Sequence, residues 1–89
     1  MLYPFMTLND ETEIVHSEVL KDGSVKVYVE TPAWNDFNHM TVYLPKYKIT
    51  EVHNYTYDEV EKYIHVIRST EHLIMRFAKC GGIESAPTV

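Results

Sequence analysis

A strong helical signal occupies residues 56–82, which read TYDEVEKYIHVIRSTEHLIMRFAKCGG. Thr56 is a favourable N-cap residue, and Glu59 follows three positions later, which is the spacing of a capping box. Acidic residues fill the first turns and basic residues the last, as the helix dipole favours. Gly81 then provides a C-terminal stop. The sequence therefore predicts one continuous helix from Tyr57 to Cys80.

The predicted helix is amphipathic, but its apolar arc is wide. Polar side chains line one stripe, and the opposite face carries Val60, Tyr63, Ile64, Ile67, Ile74 and Phe77. Val66 and Leu73 flank that face, so the arc exceeds the roughly 100° that a surface helix usually needs. A short chain gains stability from self-association. We therefore predict a homodimer with Val66 and Leu73 in its interface.

The residues before the helix alternate between apolar and polar in the manner of strands. The predicted strands are Tyr3–Leu8, Glu13–Leu20, Ser24–Glu30 and His39–Leu44, while residues 46–55 are ambiguous between a short strand and a turn. The predicted fold is α+β: an antiparallel β-meander of about four strands with one long C-terminal helix packed on one face. Residues 1–80 form a single domain in this prediction, and residues 81–89 form a flexible C-terminal tail.

The register of the Lys21-Asp22-Gly23 hairpin decides which side chains face the helix. A two-residue Asp-Gly turn would mix polar groups into the valine face. A three-residue loop with Gly23 in the left-handed conformation instead sets Glu18 opposite Lys26 and keeps one face largely apolar. We predict the second register, which also places His16 on the outer face opposite Tyr28.

Composition and charge narrow the functional classes. The 89 residues are 45% hydrophobic, and the net charge of −5 arises in residues 1–45, where seven acids face two bases. Nucleic-acid binding needs a basic footprint, so this charge balance disfavours that role and favours a basic partner. The alternative is that the negative charge only keeps a small protein soluble. The lone Cys80 allows no internal disulfide. Residues 1–8 lack the basic start of a signal peptide, so we expect none, and the sequence contains no apolar run of about 20 residues. We predict a cytoplasmic protein that does not contact a membrane.

Candidate catalytic and metal-binding residues are isolated in the sequence. His65 and His72 share a helix face about 10.5 Å apart, which is too far for one ion. The spacing of Glu61 and His65 offers only two ligands, which is too few for a zinc site. Glu71 falls inside the apolar arc, where a carboxylate can become a general acid or base. With no nucleotide-binding loop or nucleophile motif, the sequence predicts no enzyme, no catalytic residue, no cofactor and no metal.

Two surfaces are candidates for partner binding. One is the loop of residues 31–38, where Trp34 and Phe37 lie among turn-forming residues. The other is the outer sheet face with His16, Tyr28 and Tyr43. The leading hypothesis is a non-catalytic small acidic interaction or regulatory protein.

Two alternative functions stay open. One is a small-molecule-binding or minimal enzymatic domain with a pocket between helix, sheet and the Trp34 loop. The other is nucleic-acid binding through the helix stripe His65, Arg68, His72, Arg76 and Lys79.

Two segments carry a family resemblance. Residues 1–8, MLYPFMTL, and residues 21–28, KDGSVKVY, resemble small uncharacterised bacterial proteins of the mobile-element kind. The resemblance implies no enzymatic activity. It implies an accessory role as an inhibitor, an antitoxin-like partner or a regulator.

Overall fold

The computed structural model describes residues 1–34 and 36–81. These residues form one antiparallel sheet whose strands are neighbours in chain order, followed by a single helix. The elements are β1 Leu2–Thr7, β2 Glu13–Ser17, β3 Val25–Pro32, β4 Phe37–Leu44, β5 Lys48–His53 and α1 Tyr57–Cys80. The predicted α+β meander with a C-terminal helix is therefore confirmed. Of the predicted tail, the structure describes only Gly81.

The sheet has five strands rather than about four, because the ambiguous segment contains β5. This strand is an exposed edge, and it is enclosed by two residues of positive φ, Tyr47 and Asn54. Ile49 and Val52 pair with core residues of β4 yet remain 42% and 46% exposed, because α1 packs on β2 and β3. The side chains of β5 are therefore mostly exposed, and the sequence of this strand lacks the apolar pattern that indicates a buried strand.

The predicted hairpin register is wrong, although the predicted three-residue loop is present. The Leu20 amide donates to the Ser24 carbonyl at 2.8 Å, and Gly23 has φ 85°. Beyond the loop, however, His16 lies opposite Val27 and Ile14 opposite Val29. The chain gains one residue on the β2 side between loop and ladder. There the Ser17 hydroxyl, rather than a backbone carbonyl, accepts from the Lys26 amide at 2.9 Å. This shift turns Ile14 and His16 toward the helix.

The core lies between α1 and the inner faces of β2, β3 and β4. The residues from the helix that reach it are Tyr63, Ile67, Ile74 and Ala78. The capping box forms as predicted: the Thr56 hydroxyl accepts from the Glu59 amide, and the Glu59 carboxylate accepts from the Thr56 amide. Gly81 caps the C-terminus at φ 79°. The predicted helix bounds are thereby confirmed.

A polar network closes one end of the core. The buried Tyr63 hydroxyl donates to Asp10 at 2.8 Å and lies 3.1 Å from the Thr12 hydroxyl. The Thr12 hydroxyl in turn meets that of Thr31, which bonds the Tyr55 hydroxyl at 2.7 Å. Burial raises the pKa of Tyr55 to about 12. The network therefore joins α1 to the start of β2 and to the end of β3. Every buried hydroxyl in it has a hydrogen-bond partner, as buried polar groups require.

Candidate functional site

The outer face of the sheet points away from α1. The side chains on this face lie in three rows that run across the strands. Cross-strand pairing fixes the rows, since directly opposed residues share a face. The acidic row at one end is Glu13, Glu30, His39 and His53; the central row is Val15, Tyr28, Thr41 and Glu51; the basic row at the other end is Lys26, Tyr43 and Lys48. The face is therefore acidic at one end and basic at the other.

Aromatic rings form a column between the acidic and central rows. The His39 ring stacks on His53 with centroids 4.8 Å apart, and on its other side it stacks on Tyr28 at 5.9 Å. His53 Nε2 lies 3.1 Å from an Asp36 oxygen. His39 Nδ1 lies 3.0 Å from a Glu51 oxygen, which is an ion-pair distance, although the direction misses that of a hydrogen bond. A flat, partly exposed aromatic surface thus has carboxylates on both sides.

The acidic row continues into a small cleft of about 270 Å³, lined by Glu11, Glu13, Glu30, Pro32 and Phe37. Glu13 and Glu30 are direct cross-strand partners, an arrangement in which like charges destabilise a sheet. Within residues 1–34 and 36–81, neither of them nor Glu11 forms an ion pair. The cleft therefore holds negative charge that the described part of the chain does not neutralise.

The carboxylates at the acidic end of the outer face affect the pKa of Tyr28. Burial raises the pKa of Tyr28, and the charges of Glu30, Glu51 and Asp36 raise it further. The Asp36 carboxylate behaves differently, because hydrogen bonds from the Phe37 amide and from His53 hold its pKa below the usual range. The Tyr28 phenol therefore stays protonated at neutral pH, while the Asp36 carboxylate stays ionised.

A larger cleft, of about 600 Å³, lies at the basic end of the same sheet. The β2–β3 loop and the β4–β5 turn form its walls, with Tyr43, Pro45, Lys46 and Lys48 among the lining residues. The Asp22 carboxylate also lines it, but accepts from both the amide and the hydroxyl of Ser24. Cationic, aromatic and apolar groups therefore surround this cleft. It lies at the opposite end of β3 and β4 from the Trp34 loop.

The predicted partner-binding residues differ in how much of each side chain is exposed. Trp34 is 95% exposed and Phe37 is 47% exposed, while Tyr28 and Tyr43 lie half-buried on the outer face. His16 is the exception: the register shift places it on the inner face with no exposed surface. Its Nδ1 atom donates to the Ser17 carbonyl at 2.9 Å, and its ring contacts Tyr3 and Phe5. The predicted place of His16 on the outer face is wrong, and in this fold a partner cannot reach it.

The predicted dimer residues lie on the helix flank. Val66 packs against the core cluster, and Leu73 is half-buried. Part of the Val66 surface is therefore already in contact within one chain. Their role in self-association stays a prediction.

The candidate catalytic carboxylate has a structural partner. The Tyr47 hydroxyl donates to Glu71, and the Arg68 guanidinium lies over the Tyr47 ring at 4.5 Å from its centroid. Burial, followed by this bond to Glu71, raises the pKa of Tyr47 to about 12. These contacts tie the β4–β5 turn to the helix, which gives the half-buried position of Glu71 a structural explanation.

The described residues contain neither a metal-binding cluster nor a helix that could span a membrane. Among residues 1–34 and 36–81, no three His, Cys, Asp or Glu side chains are arranged to hold a metal ion. In the same part of the chain, no helix has the length and apolar character needed to cross a membrane.

Comparison of the chain with protein-family models, curated proteins and solved structures finds no match in any of the three. The site must therefore be interpreted from its own geometry. Sequence reasoning missed the grouping of Glu13, Glu30, His39 and His53. These residues come from four different strands, so only the correct register could have revealed it.

Proposed function

We propose that this chain is a non-catalytic interaction protein whose acidic outer-face end binds a lysine- or arginine-bearing segment of a protein partner. The observation that carries the proposal is the cleft formed by Glu11, Glu13 and Glu30 beside Phe37, with two of the carboxylates directly opposed across strands. A cation between them would remove a repulsion that the free protein bears. A role as an acidic inhibitor or regulator of a basic protein agrees with this chemistry.

The shape of the cleft suits a long basic side chain. Lysine and arginine bury an apolar stem while their charged heads stay among polar groups. Here Phe37 and Pro32 offer the apolar wall, and the carboxylates lie beside it. The adjoining His39–His53–Tyr28 column gives a flat aromatic surface over which a second basic residue can lie as a cation–π contact. A segment with basic residues in alternation would reach both.

The same charges oppose nucleic acid at this end of the face. Aromatic sheet surfaces can stack bases, but carboxylates beside the rings repel the phosphate backbone. Glu30 and Glu51 both lie near Tyr28. A basic protein segment is therefore the better fit to this surface.

The proposal can be tested with a labelled model peptide. A short fluorescein-labelled peptide in which arginine alternates with serine is titrated with the protein, and fluorescence anisotropy gives the Kd. The same peptide with glutamate in place of arginine is the control ligand. We expect binding of the basic peptide alone, weakening as salt is raised, because exposed charge pairs are screened. Equal binding of both peptides, or binding of neither, contradicts the proposal.

Charge-neutralising variants locate the site. Each exposed pair contributes up to about 1 kcal/mol, so Glu30→Gln should weaken binding about fivefold and Glu13→Gln/Glu30→Gln about twentyfold. Glu61→Gln removes the same charge from the exposed helix stripe and should change the Kd less than twofold. Glu30→Gln should also stabilise the free protein by a few tenths of a kcal/mol, because it relieves a like-charge pair.

A further inference from the structure

The outer face is complementary in charge to itself. Its acidic row and basic row lie on opposite sides of the central row, so reversing the strand direction brings one over the other. Strand β3 alone shows the pattern, with Glu30 at one end, Tyr28 in the middle and Lys26 at the other end. A second copy therefore presents the kind of basic surface that the acidic end binds.

Two further features lie beyond opposite ends of the same strands, β3 and β4. Trp34 follows the end of β3 and is 95% exposed, which is unusual for a large aromatic side chain. The cleft of about 600 Å³ lies beyond the opposite end of the same strands and presents Tyr43 and Pro45. Tryptophan is enriched among interface hot spots, which cluster in well-packed pockets.

We infer that two copies of this chain associate through their outer faces in antiparallel orientation, with Trp34 of each copy in the basic-end cleft of the other. The inference rests on the proposed function, because it takes the basic end of a second copy as one partner of the acidic end. The two-fold axis lies between the sheets and crosses the strands at the central row. Each β3 then lies over the β3 of the other copy, and Tyr28 lies near the axis.

This arrangement pairs opposite charges twice. Glu30 of one copy lies over Lys26 of the other, and the two-fold axis repeats the contact. Asp36, which bonds His53 of β5, approaches the region of Lys46 and Lys48 in the same way. In the parallel orientation, by contrast, acidic rows would oppose each other, so charge selects the antiparallel form.

The size of the face sets the expected affinity. Five strands about 4.8 Å apart and about 20 Å long make a face of roughly 400 Å² in plan. A standard interface buries about 800 Å² per partner. With Trp34 and its cleft added, we expect association in the micromolar range rather than the nanomolar range. Dimerisation would cover the acidic cleft, so a basic partner and the second copy would compete for it.

The single tryptophan of the chain reports the contact directly. Sedimentation equilibrium and tryptophan emission are recorded from about 1 μM to about 1 mM, which brackets a micromolar Kd. We expect a monomer–dimer transition, and over the same concentrations a shift of the emission maximum to shorter wavelength as Trp34 leaves water. A dimer whose Trp34 emission stays constant contradicts the assignment of the cleft. A monomer throughout contradicts the whole inference.

Charge reversal tests the orientation. Lys26→Glu and Glu30→Lys should each weaken the dimer at least tenfold, because each turns two attractive contacts into repulsive ones. The double variant Lys26→Glu/Glu30→Lys restores opposite charges across the axis and should return the Kd to within about threefold of the wild type. Circular dichroism confirms that each variant is folded. A double variant as weak as the single variants overturns the antiparallel arrangement.

The two proposals can fail separately. If the wild type stays monomeric but binds the arginine peptide, self-association is refuted and the proposed function stands. If the dimer forms and the peptide dissociates it in proportion to occupancy, both stand. If the dimer forms and the peptide binds without dissociating it, the interface lies on another surface and the inference is refuted.

Discussion

Removal of the Tyr63 hydroxyl tests how the polar network holds the helix on the sheet. In Tyr63→Phe the ring keeps its place, but Asp10 loses a donor at 2.8 Å and Thr12 loses a neighbour at 3.1 Å. Hydrogen bonds to charged groups contribute about 1.5–3 kcal/mol. Because the Asp10 side chain is 37% exposed, water can partly replace the lost donor, and we expect about 1.5 kcal/mol.

The cost should depend on pH in a direction fixed by Asp10. Hydrogen bonds from Thr12, Tyr63 and Lys62 hold the pKa of Asp10 well below its usual range. A lowered pKa in the folded state stabilises the protein above the unfolded pKa of about 4, and this contribution is lost as pH falls below that value. Tyr63→Phe should therefore cost most at neutral pH, and the difference from wild type should shrink as pH falls below about 4.

Tyr55→Phe is the matched control, because its hydroxyl bonds the neutral Thr31 at 2.7 Å. We expect about 1 kcal/mol for it, unchanged between neutral and acid pH. Urea unfolding of the three proteins at several pH values, followed by circular dichroism, gives the comparison. If the cost of Tyr63→Phe does not change with pH, or follows that of Tyr55→Phe throughout, the bond to ionised Asp10 does not contribute as argued.

Three further predictions concern the core, the hairpin and the helix flank. Ile67→Ala empties a fully buried site and should lower the free energy of unfolding by roughly 2–5 kcal/mol in urea melts, whereas a loss under about 1 kcal/mol would show that the site is peripheral. Gly23→Ala should cost roughly 1–2 kcal/mol although nothing crowds the added carbon, because φ there is 85°; Gly23→Asn should cost less, and equal losses would contradict a backbone origin. Leu73→Glu should leave the dimer Kd unchanged if the copies meet through the outer sheet face, and a large increase measured by sedimentation would place the interface on the helix flank.

Local signals in the sequence determined the helix and its ends. Thr56, Glu59 and Gly81 act through hydrogen bonds to backbone groups within the same turn, so their effect needs no knowledge of the remaining chain. The apolar period then identified Ile67 and Ile74 as core residues, and both are fully buried. Alternation in the first half likewise indicated a meander, because short connections join strands that are neighbours in space.

The tertiary structure alone decided the register of β2, and with it the content of each face. A shift of one residue moves every side chain of a strand to the opposite face of the sheet. The extra residue on the β2 side lies between Gly23 and His16, where the Ser17 side chain replaces a backbone carbonyl as the hydrogen-bond acceptor. No local pattern marks that substitution. It moved His16 into the core and left Val15 outside.

The acidic cleft and the stack of His39 on His53 were likewise decided by the pairing of the strands. Glu13, Glu30, His39 and His53 stand on separate strands, and each is unremarkable in its own segment. Their proximity follows from cross-strand pairing, which is a long-range contact that periodicity within one segment cannot encode. The sequence by itself therefore determined which elements form, while the pairing of those elements decided which charges meet, because a binding surface on a sheet is built across strands rather than along them.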